Sequence, residues 1–190
     1  MNYLRSSLRQ IVSIIRYPKL FLTAKRTGRN NRLGPNGRFL HPEEIFLGDN
    51  IYIAPNFHIS ARNLKFGNNI IIGPNLLLEC DDHVFKNVGK TIWATFTEER
   101  ILGSVTIGND VWIGGNVTIL KNVIIGEGCI IGAASVVTRS LPPYSICVGS
   151  PCRPIKTRFT AKELEIHLAL VNSDYKVNTI IDEWIQNGLI

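Results

Sequence analysis

Acidic residues are absent from the first 40 residues, which carry nine of the 21 lysines and arginines of this 190-residue chain. Residues 41–190 hold the other twelve basic residues and all fifteen acidic ones. A basic head on a mildly acidic body is typical of contact with nucleic acid, anionic lipid or an anionic polymer. Because no recognisable nucleic-acid-binding module accompanies the charge, we expect no nucleic-acid partner.

Cysteine is also sparse, and its spacing argues against the common metal sites. The cysteines form no C-x-x-C pair and no ligand spacing with histidine, so we predict buried free thiols in a reducing compartment, the cytoplasm. They are Cys80, Cys129, Cys147 and Cys152. No apolar run approaches the ~18 residues of a membrane span. Arg16, Pro18 and Lys19 interrupt the N-terminal apolar stretch, and we expect no signal peptide.

What the chain does contain is an aliphatic residue at every sixth position. The clearest run is Ile107, Ile113, Ile119, Ile125, Ile131 and Val137. In triplets such as Val111-Trp112-Ile113 the first and third residues are apolar or small, which places both on the inner face of a short strand. The residue before each triplet is a type that tolerates positive φ. These residues are Asn50, Asn56, Asn69, Asn75, Asp110, Asn116, Asn122 and Gly128. The pattern predicts a parallel solenoid of stacked coils.

The same period occurs upstream, with one interruption. Its members there are Leu47, Ile53, Ile59, Phe66, Ile72 and Leu78. The pattern then stops and resumes near Ile101, so residues 84–100 are predicted to protrude as a loop. A long insertion in a strict repeat is usually functional.

Several outward positions of the repeat are apolar as well. They are Ile71, Leu77, Ile124, Ile130 and Val136. Stacked rows of such residues form a patch too large for a monomer, so we predict that another subunit covers them.

The sequence predicts helical segments at both ends of the chain. Residues 1–40 form a basic N-terminal segment with Leu4, Leu8, Ile11, Val12 and Ile15 at helical spacing; Pro18 is predicted to end this helix. The segment either caps the open solenoid or docks on the inner face of a membrane. Residues 159–190 are predicted to form a helical cap, which Thr160 and Glu163 open as a capping box.

The motifs IGNDVWIGG and GAASVVTRSLPPYSICVGSPCRPI are similar to those of hexapeptide-repeat acyltransferases, in the branch of maltose, galactoside and polysaccharide O-acetyltransferases. The resemblance covers about residues 40–158 and is most specific over 101–158. It implies an all-β fold, a left-handed parallel β-helix over residues 41–158 with a protruding loop and helical N- and C-terminal segments. It also implies a homotrimer and acetyl-CoA as the acyl donor.

The resemblance also implies a set of site residues. His83, in GPNLLLECDDH, matches the catalytic histidine, and neutral imidazole suits the removal of a hydroxyl proton. The Gly115 amide matches an oxyanion donor. Trp112, Gly115 and Ala133 match contacts of the pantetheine and thioester. Arg139, Arg153 and Lys156 match positions that meet the CoA phosphates.

Substrate contacts are assigned to Ser60 and Asp82. Ser60 stands where the maltose and galactoside enzymes carry an acceptor-binding Asn, which disfavours those simple acceptors. Asp81, Asp82, Glu98 and Glu99 are the candidates for orienting His83. The closely spaced histidines of zinc enzymes built on this β-helix are missing from this sequence, so no metal is expected.

These features predict an acetyl-CoA-dependent O-acetyltransferase acting on a sugar hydroxyl in capsule, lipopolysaccharide or exopolysaccharide synthesis. N-acetylation of a nucleotide-linked amino sugar and acetylation of a xenobiotic are the enzymatic alternatives. A non-catalytic trimeric scaffold that binds glycan or membrane is the alternative from another class.

Overall fold

The computed structural model describes residues 2–96 and 101–190 and shows a parallel β-helix of about six turns. The first coil holds β1 (Arg26–Thr27), β2 (Arg32–Leu33) and β3 (Arg38–Phe39). The second coil holds β4 (Ile45–Leu47), β5 (Ile51–Ile53) and β6 (His58–Ser60). The third coil holds β7 (Leu64–Phe66), β8 (Ile70–Ile72) and β9 (Leu77–Glu79). An antiparallel pair follows, β10 (Asp81–Asp82) and β11 (Ile101–Leu102). The fourth coil holds β12 (Val105–Ile107), β13 (Trp112–Ile113) and β14 (Thr118–Leu120). The fifth coil holds β15 (Val123–Ile125), β16 (Ile130–Ile131) and β17 (Val136–Val137). The strands β18 (Ser145–Val148) and β19 (Arg153–Thr157) follow.

The strands stack into three flat faces. The first face has the order β1-β4-β7-β12-β15, the second β2-β5-β8-β13-β16-β18-β19, and the third β3-β6-β9-β14-β17. The first corner is the turn from the first to the second face, and the second corner is the turn from the second to the third face. The third corner is the turn that leads from the third face into the next coil.

The sixfold repeat fills the interior. Every periodic residue predicted to point inward, from Leu47 to Val137, is at most 1% exposed. Within β5, Ile51 and Ile53 are buried whereas Tyr52 between them is 43% exposed. The same alternation in β4, β7, β8, β12 and β15 confirms that such triplets contribute two residues each to the core. All four cysteines are buried and free, as predicted.

The corners confirm the prediction of left-handed backbone. All eight residues predicted to tolerate positive φ have φ between 55° and 69°. Their side chains also connect the coils, because Asn30 Nδ2 donates to Asn50 Oδ1 (2.8 Å) and Asn50 Nδ2 donates to Asn69 Oδ1 (2.9 Å).

The solenoid begins earlier than the sequence pattern indicated. Residues 1–40 were expected to be a helical segment, but strands start at Arg26, and Asn30 and Asn36 already adopt positive φ. This first coil is hard to recognise in the sequence because its strands have only two residues and carry arginine on the outer side. Only Leu33 and Phe39 mark its inner side.

Two helices cover the first coil. They are α1 (Asn2–Arg16) and α2 (Pro18–Thr23), which Pro18 separates as predicted. Tyr17 Oη donates to Gly34 O (2.5 Å) and accepts from Gly37 N (2.9 Å). These bonds satisfy backbone groups at the open end of the solenoid. None of the helices in the described ranges is long and apolar enough to cross a bilayer.

Two further helices close the opposite end. They are α3 (Ala161–Leu170), which Thr160 and Glu163 open with the predicted capping box, and α4 (Val177–Gln186). Trp184 is 1% exposed and its Nε1 donates to Pro143 O (2.7 Å). Together with Tyr144 it forms a second apolar cluster under the helices.

Candidate active site

His83 lies where the chain leaves the solenoid at the third corner of the third coil. β9 ends at Glu79, and the β10–β11 pair then forms the neck of the insertion, with Asp82 opposite Ile101. His83 follows this neck directly and its side chain is half-buried. The neck of the insertion therefore places the half-buried imidazole at the third corner, on the edge of the third face.

A stack of aromatic rings holds the imidazole. The rings of His83 and Phe96 are 5.2 Å apart with a 23° interplanar angle, and Phe96 stacks on Trp93 at 5.5 Å and 22°. A short 3-10 turn, Trp93–Thr95, carries these residues, and Thr95 Oγ1 donates to Val84 O (2.8 Å). Sequence reasoning missed Phe96 and Trp93, and their only signal was their presence in the insertion.

The carboxylates near His83 have other partners. Asp82 Oδ2 lies 2.6 Å from Lys121 Nζ, and Asp81 Oδ2 lies 3.7 Å from His41 Nε2. Asp81 Oδ1 is buried without a hydrogen-bond partner in the described ranges. Of the predicted orienting residues, Glu98 and Glu99 lie outside those ranges. No carboxylate contact of His83 is found among the residues that the structure describes, so the observed support of its ring is aromatic.

Cys80 precedes the candidate base by three residues, but its thiol is not reactive. Burial, with the charges of Asp81 and Glu79, raises the pKa of Cys80 to about 12. The thiol is therefore protonated near neutral pH and is not an activated nucleophile. Within the described residues, no group of three or more histidine, cysteine, aspartate or glutamate side chains is placed to hold a metal ion.

Ser60 shares the edge of His83 but is inaccessible in the single chain. It is opposite Glu79 in the β6–β9 ladder, its carbonyl accepts from Cys80 N (2.8 Å), and it is 2% exposed. Ser60 is therefore covered in the single chain, next to the Glu79–Cys80 segment that leads to His83.

Gly115 lies at the second corner of the fourth coil, and its backbone N–H donates to no acceptor within residues 2–96 and 101–190. The equivalent corner position is proline in the first three coils: Pro35, Pro55 and Pro74. The fold therefore does not need an N–H at this position. Coils four and five keep one, at Gly115 and Ala133, which leaves two unpaired donors on one corner.

The predicted phosphate contacts do not form one cluster. Trp112, Ile130, Ile146 and Lys156 form one row across the second face. Since neighbouring strands are about 4.8 Å apart, Lys156 lies about 15 Å from Trp112 along this row. Arg153 is also in β19, where its Nη1 donates to Cys152 O (2.8 Å). Arg139 instead follows β17 at the third corner.

The candidate base and the candidate oxyanion donor thus lie on opposite edges of the third face. His83 is at the third corner, whereas Gly115 is at the second, and β14 runs between these edges in the fourth coil. One chain alone does not bring the two groups together.

Comparison with known proteins gives this arrangement a family. The model for bacterial transferase hexapeptides (six repeats) matches residues 104–139. The galactoside O-acetyltransferase of Escherichia coli is 34% identical over 132 residues, 65% of this chain and 62% of that protein. The "Probable macrolide acetyltransferase" of Lysinibacillus sphaericus is 40% identical over 129 residues, 66% of this chain and 69% of that protein. The chain thus spans about two thirds of the length of these relatives.

Solved structures share the fold. A maltose O-acetyltransferase from Clostridium difficile superposes with a TM-score of 0.69 at 28% identity, covering 76% of this chain and 75% of the other. A hexapeptide-repeat acetyltransferase from Vibrio cholerae, solved in complex with acetyl-CoA, has a TM-score of 0.67 at 24% identity over 78% and 79% of the two chains. The solenoid is therefore a left-handed β-helix, and the chain belongs to the hexapeptide-repeat acetyltransferase family.

Proposed function

We propose that the chain is an acetyl-CoA-dependent O-acetyltransferase that acts on a sugar hydroxyl. The observation that carries the proposal is the position of His83, half-buried at the neck of the insertion and supported by Phe96. Neutral imidazole accepts the hydroxyl proton while the hydroxyl oxygen attacks the thioester carbonyl. The Gly115 N–H stabilises the oxyanion. Collapse of the tetrahedral intermediate breaks the carbon–sulfur bond, and the imidazolium returns the proton to the departing CoA thiolate.

The assembly proposed is a homotrimer. Because His83 and Gly115 lie on opposite edges of the third face, the third corner of one copy must meet the second corner of the next to complete a site. Apolar outward residues supply the contact area, since Ile71, Leu77 and Ile124 are exposed in the single chain. They are distributed over all three faces rather than gathered on one, and a row of them runs along the second face through Ile71, Trp112 and Ile130.

The donor proposed is acetyl-CoA, the ligand of the Vibrio cholerae structure. Trp112 and the unpaired N–H groups of Gly115 and Ala133 would bind the pantetheine and thioester. Arg153 and Lys156, toward the far end of the second face, supply positive charge for the phosphates. Arg139, at the third corner, faces the same groove from the neighbouring copy.

The acceptor proposed is a sugar hydroxyl of a capsule, lipopolysaccharide or exopolysaccharide precursor. Trp93 is 81% exposed and stacks on Phe96, which gives the candidate site a flat apolar surface for the C–H face of a sugar ring. Asp82, held by Lys121, lies at the same neck and would accept from a second hydroxyl. The free thiols favour a reducing compartment, so the proposed location is the cytoplasm.

A second candidate acceptor is a drug hydroxyl, because one relative with 40% identity is a "Probable macrolide acetyltransferase". The same assay separates the candidates. Release of CoA thiol from acetyl-CoA is followed across sugars, nucleotide-sugars, amino sugars, a macrolide and chloramphenicol. An ester product hydrolyses in mild alkali, whereas an acetamide, the product of N-acetylation, does not.

The catalytic test is His83→Ala. We expect kcat to fall 10²- to 10⁴-fold, because the hydroxyl loses its base, while CoA still binds. His58→Ala removes a half-buried histidine of the third face, one coil earlier, and should keep most of the activity. Undiminished turnover by His83→Ala would overturn the mechanism, and failure to bind CoA would favour a non-catalytic scaffold.

A further inference from the structure

The outer side of α1 is apolar. Leu8, Ile11, Val12 and Ile15 follow the i, i+3, i+4, i+7 spacing and therefore share one side of the helix. All four are exposed, by 44 to 74%. A stripe of this kind normally faces the core, but here it faces away from the solenoid.

The side of α1 that faces the solenoid is polar instead. Gln10 Oε1 accepts from Asn30 N (2.6 Å), Ser13 Oγ accepts from Leu33 N (2.9 Å), and Arg16 Nη1 donates to Leu33 O (2.8 Å). Ser13 is 1% exposed. Since hydrogen bonds to the first coil orient the helix, capping does not account for its apolar side.

Three arginines line a cleft at the foot of this stripe. Arg9 and Arg16 of α1 and Arg32 of β2 surround about 350 Å³ together with Tyr52. No acidic side chain lines the cleft, and within the described ranges no ion pair involves these arginines. The first acidic residue in the sequence is Glu43. The positive charge of the surface is therefore uncompensated locally.

We infer that α1 and the arginine cleft dock the protein on an anionic lipid bilayer. The apolar stripe enters the boundary between headgroups and acyl chains, as in interfacial amphipathic helices. The guanidinium groups bind lipid phosphates in bidentate geometry. A second copy is a poorer occupant, because a two-fold contact through this surface brings two uncompensated arginine clusters together.

The docking surface lies apart from the candidate active site, and its role goes beyond the proposed acetyl transfer. His83 is in the third coil, two strand spacings or about 10 Å from the first coil, and α1 adds a helix diameter of about 10 Å. A docked molecule therefore holds His83 about 20 Å above the lipid, within reach of a glycan anchored in the same membrane.

The test is flotation of the full chain with phosphatidylcholine vesicles, with and without 30% phosphatidylglycerol. We expect at least tenfold stronger partitioning onto the anionic vesicles, lost in 1 M NaCl, where the Debye length falls to about 3 Å. Ile11→Gln and Ile15→Gln should each weaken binding about tenfold. Arg9→Gln and Arg32→Gln should each weaken it about fivefold. Leu170→Gln, an equally exposed position on α3, is the control and should bind as the wild type does.

Several results would overturn this inference. They are equal partitioning onto neutral vesicles, unchanged binding of all four variants, and loss of self-association rather than vesicle binding in Ile11→Gln. Binding of inorganic phosphate that Arg9→Gln abolishes, without any vesicle binding, would identify a free-anion site instead. Acetylation of a soluble acceptor should be the same in every variant, so a failure of docking and a failure of the proposed chemistry are distinguishable.

Discussion

At the scale of single residues, the ring of His83 is held by an aromatic stack. A base must point at its hydroxyl, and in many sites a carboxylate on the second nitrogen fixes the imidazole. Here Asp81 and Asp82 are engaged by His41 and Lys121, while Phe96 covers the ring. The Thr95 hydroxyl ties the aromatic turn to Val84, the residue after His83. On the proposed mechanism, we expect Phe96 to act as a positioning residue and Trp93 as an acceptor contact.

The two aromatic residues should separate in kinetics. Phe96→Ala removes a ring contact of about 0.5–1.5 kcal/mol, so we expect kcat to fall up to tenfold with little change in the KM of the acceptor. Trp93→Ala removes the exposed apolar surface, so we expect the acceptor KM to rise while kcat changes little. Steady-state kinetics with the acceptor found in the panel measures both.

Phe85→Ala is the matched control for these variants, because Phe85 is exposed in the same insertion but its ring lies near Lys86. It should leave both constants near the wild-type values. Equal kcat losses in Phe85→Ala and Phe96→Ala would show that the insertion as a whole, and not the stack, supports catalysis.

At the scale of elements, the corners set the geometry of the coils. Asn50 combines a φ of 59° with two side-chain hydrogen bonds, one from Asn30 and one to Asn69. The same residue type thus lowers the strain of the turn and joins three successive coils. A ladder of this kind keeps the faces in register, and the register places Gly115 and Ala133 at the second corner, in successive coils.

The two contributions of a corner asparagine can be measured apart. Asn50→Gly loses the hydrogen bonds but keeps the left-handed backbone, and we expect it to lower the unfolding free energy by about 1 kcal/mol. Asn50→Ala also places a Cβ in the left-handed region and should cost about 2 kcal/mol. Thermal and urea unfolding followed by circular dichroism give the comparison. Equal losses would mean that the bonds alone matter.

The corners also show how far the sequence predicts the fold. Where the turn residue is Asn, Asp or Gly, the residue type predicts positive φ, and all eight predicted positions have positive φ. Ala134 and Tyr144 adopt φ of 59° and 51° without that chemistry, and each donates a backbone hydrogen bond to the preceding coil, to Gly115 O (2.9 Å) and Glu127 O (2.7 Å). The sequence pattern does not predict the first coil, because its outward residues, Arg32 and Arg38, resemble those of a basic helix.

The site was less predictable than the fold. The position of His83 follows from the end of the repeat, but its contact with Phe96 arises inside an insertion that has no period. The proposed role of Gly115 was implied by the family resemblance, whereas its unpaired N–H becomes visible only when the stacking aligns it with Pro35, Pro55 and Pro74 at one corner. The split of Arg139 from Arg153 and Lys156 depends on the reversal of β19, which no periodicity reports.

At the scale of the whole molecule, the proposed site is divided between opposite edges of the third face of the single chain. The His83 edge offers a base, and the Gly115 edge offers unpaired N–H donors beside Trp112. A cyclic assembly that repeats the same contact brings each base to a neighbour's donors, and a closed ring of three leaves no half-site unused. Catalysis is then a property of the assembly.

This arrangement predicts complementation between inactive variants. Gly115→Pro removes the N–H at a corner position that accepts proline in three other coils, so we expect a folded protein whose kcat is lowered 10²- to 10³-fold. His83→Ala lacks the base. Mixing the two after dissociation and reassociation creates sites with His83 from one copy and Gly115 from the next. About a quarter of the sites in randomly mixed trimers are then intact, so about a quarter of the wild-type activity should return.

Sedimentation velocity before and after mixing checks that the active species contains three copies. Two preparations of the same variant, dissociated and reassociated together, are the matched control and should stay inactive. Should the hybrid remain as inactive as its parents while trimers form, His83 and Gly115 would have to act within one copy or in separate roles. Restored activity would show that the site lies between two copies. Neither parent chain contains both groups, so both occur together only at the boundary between copies.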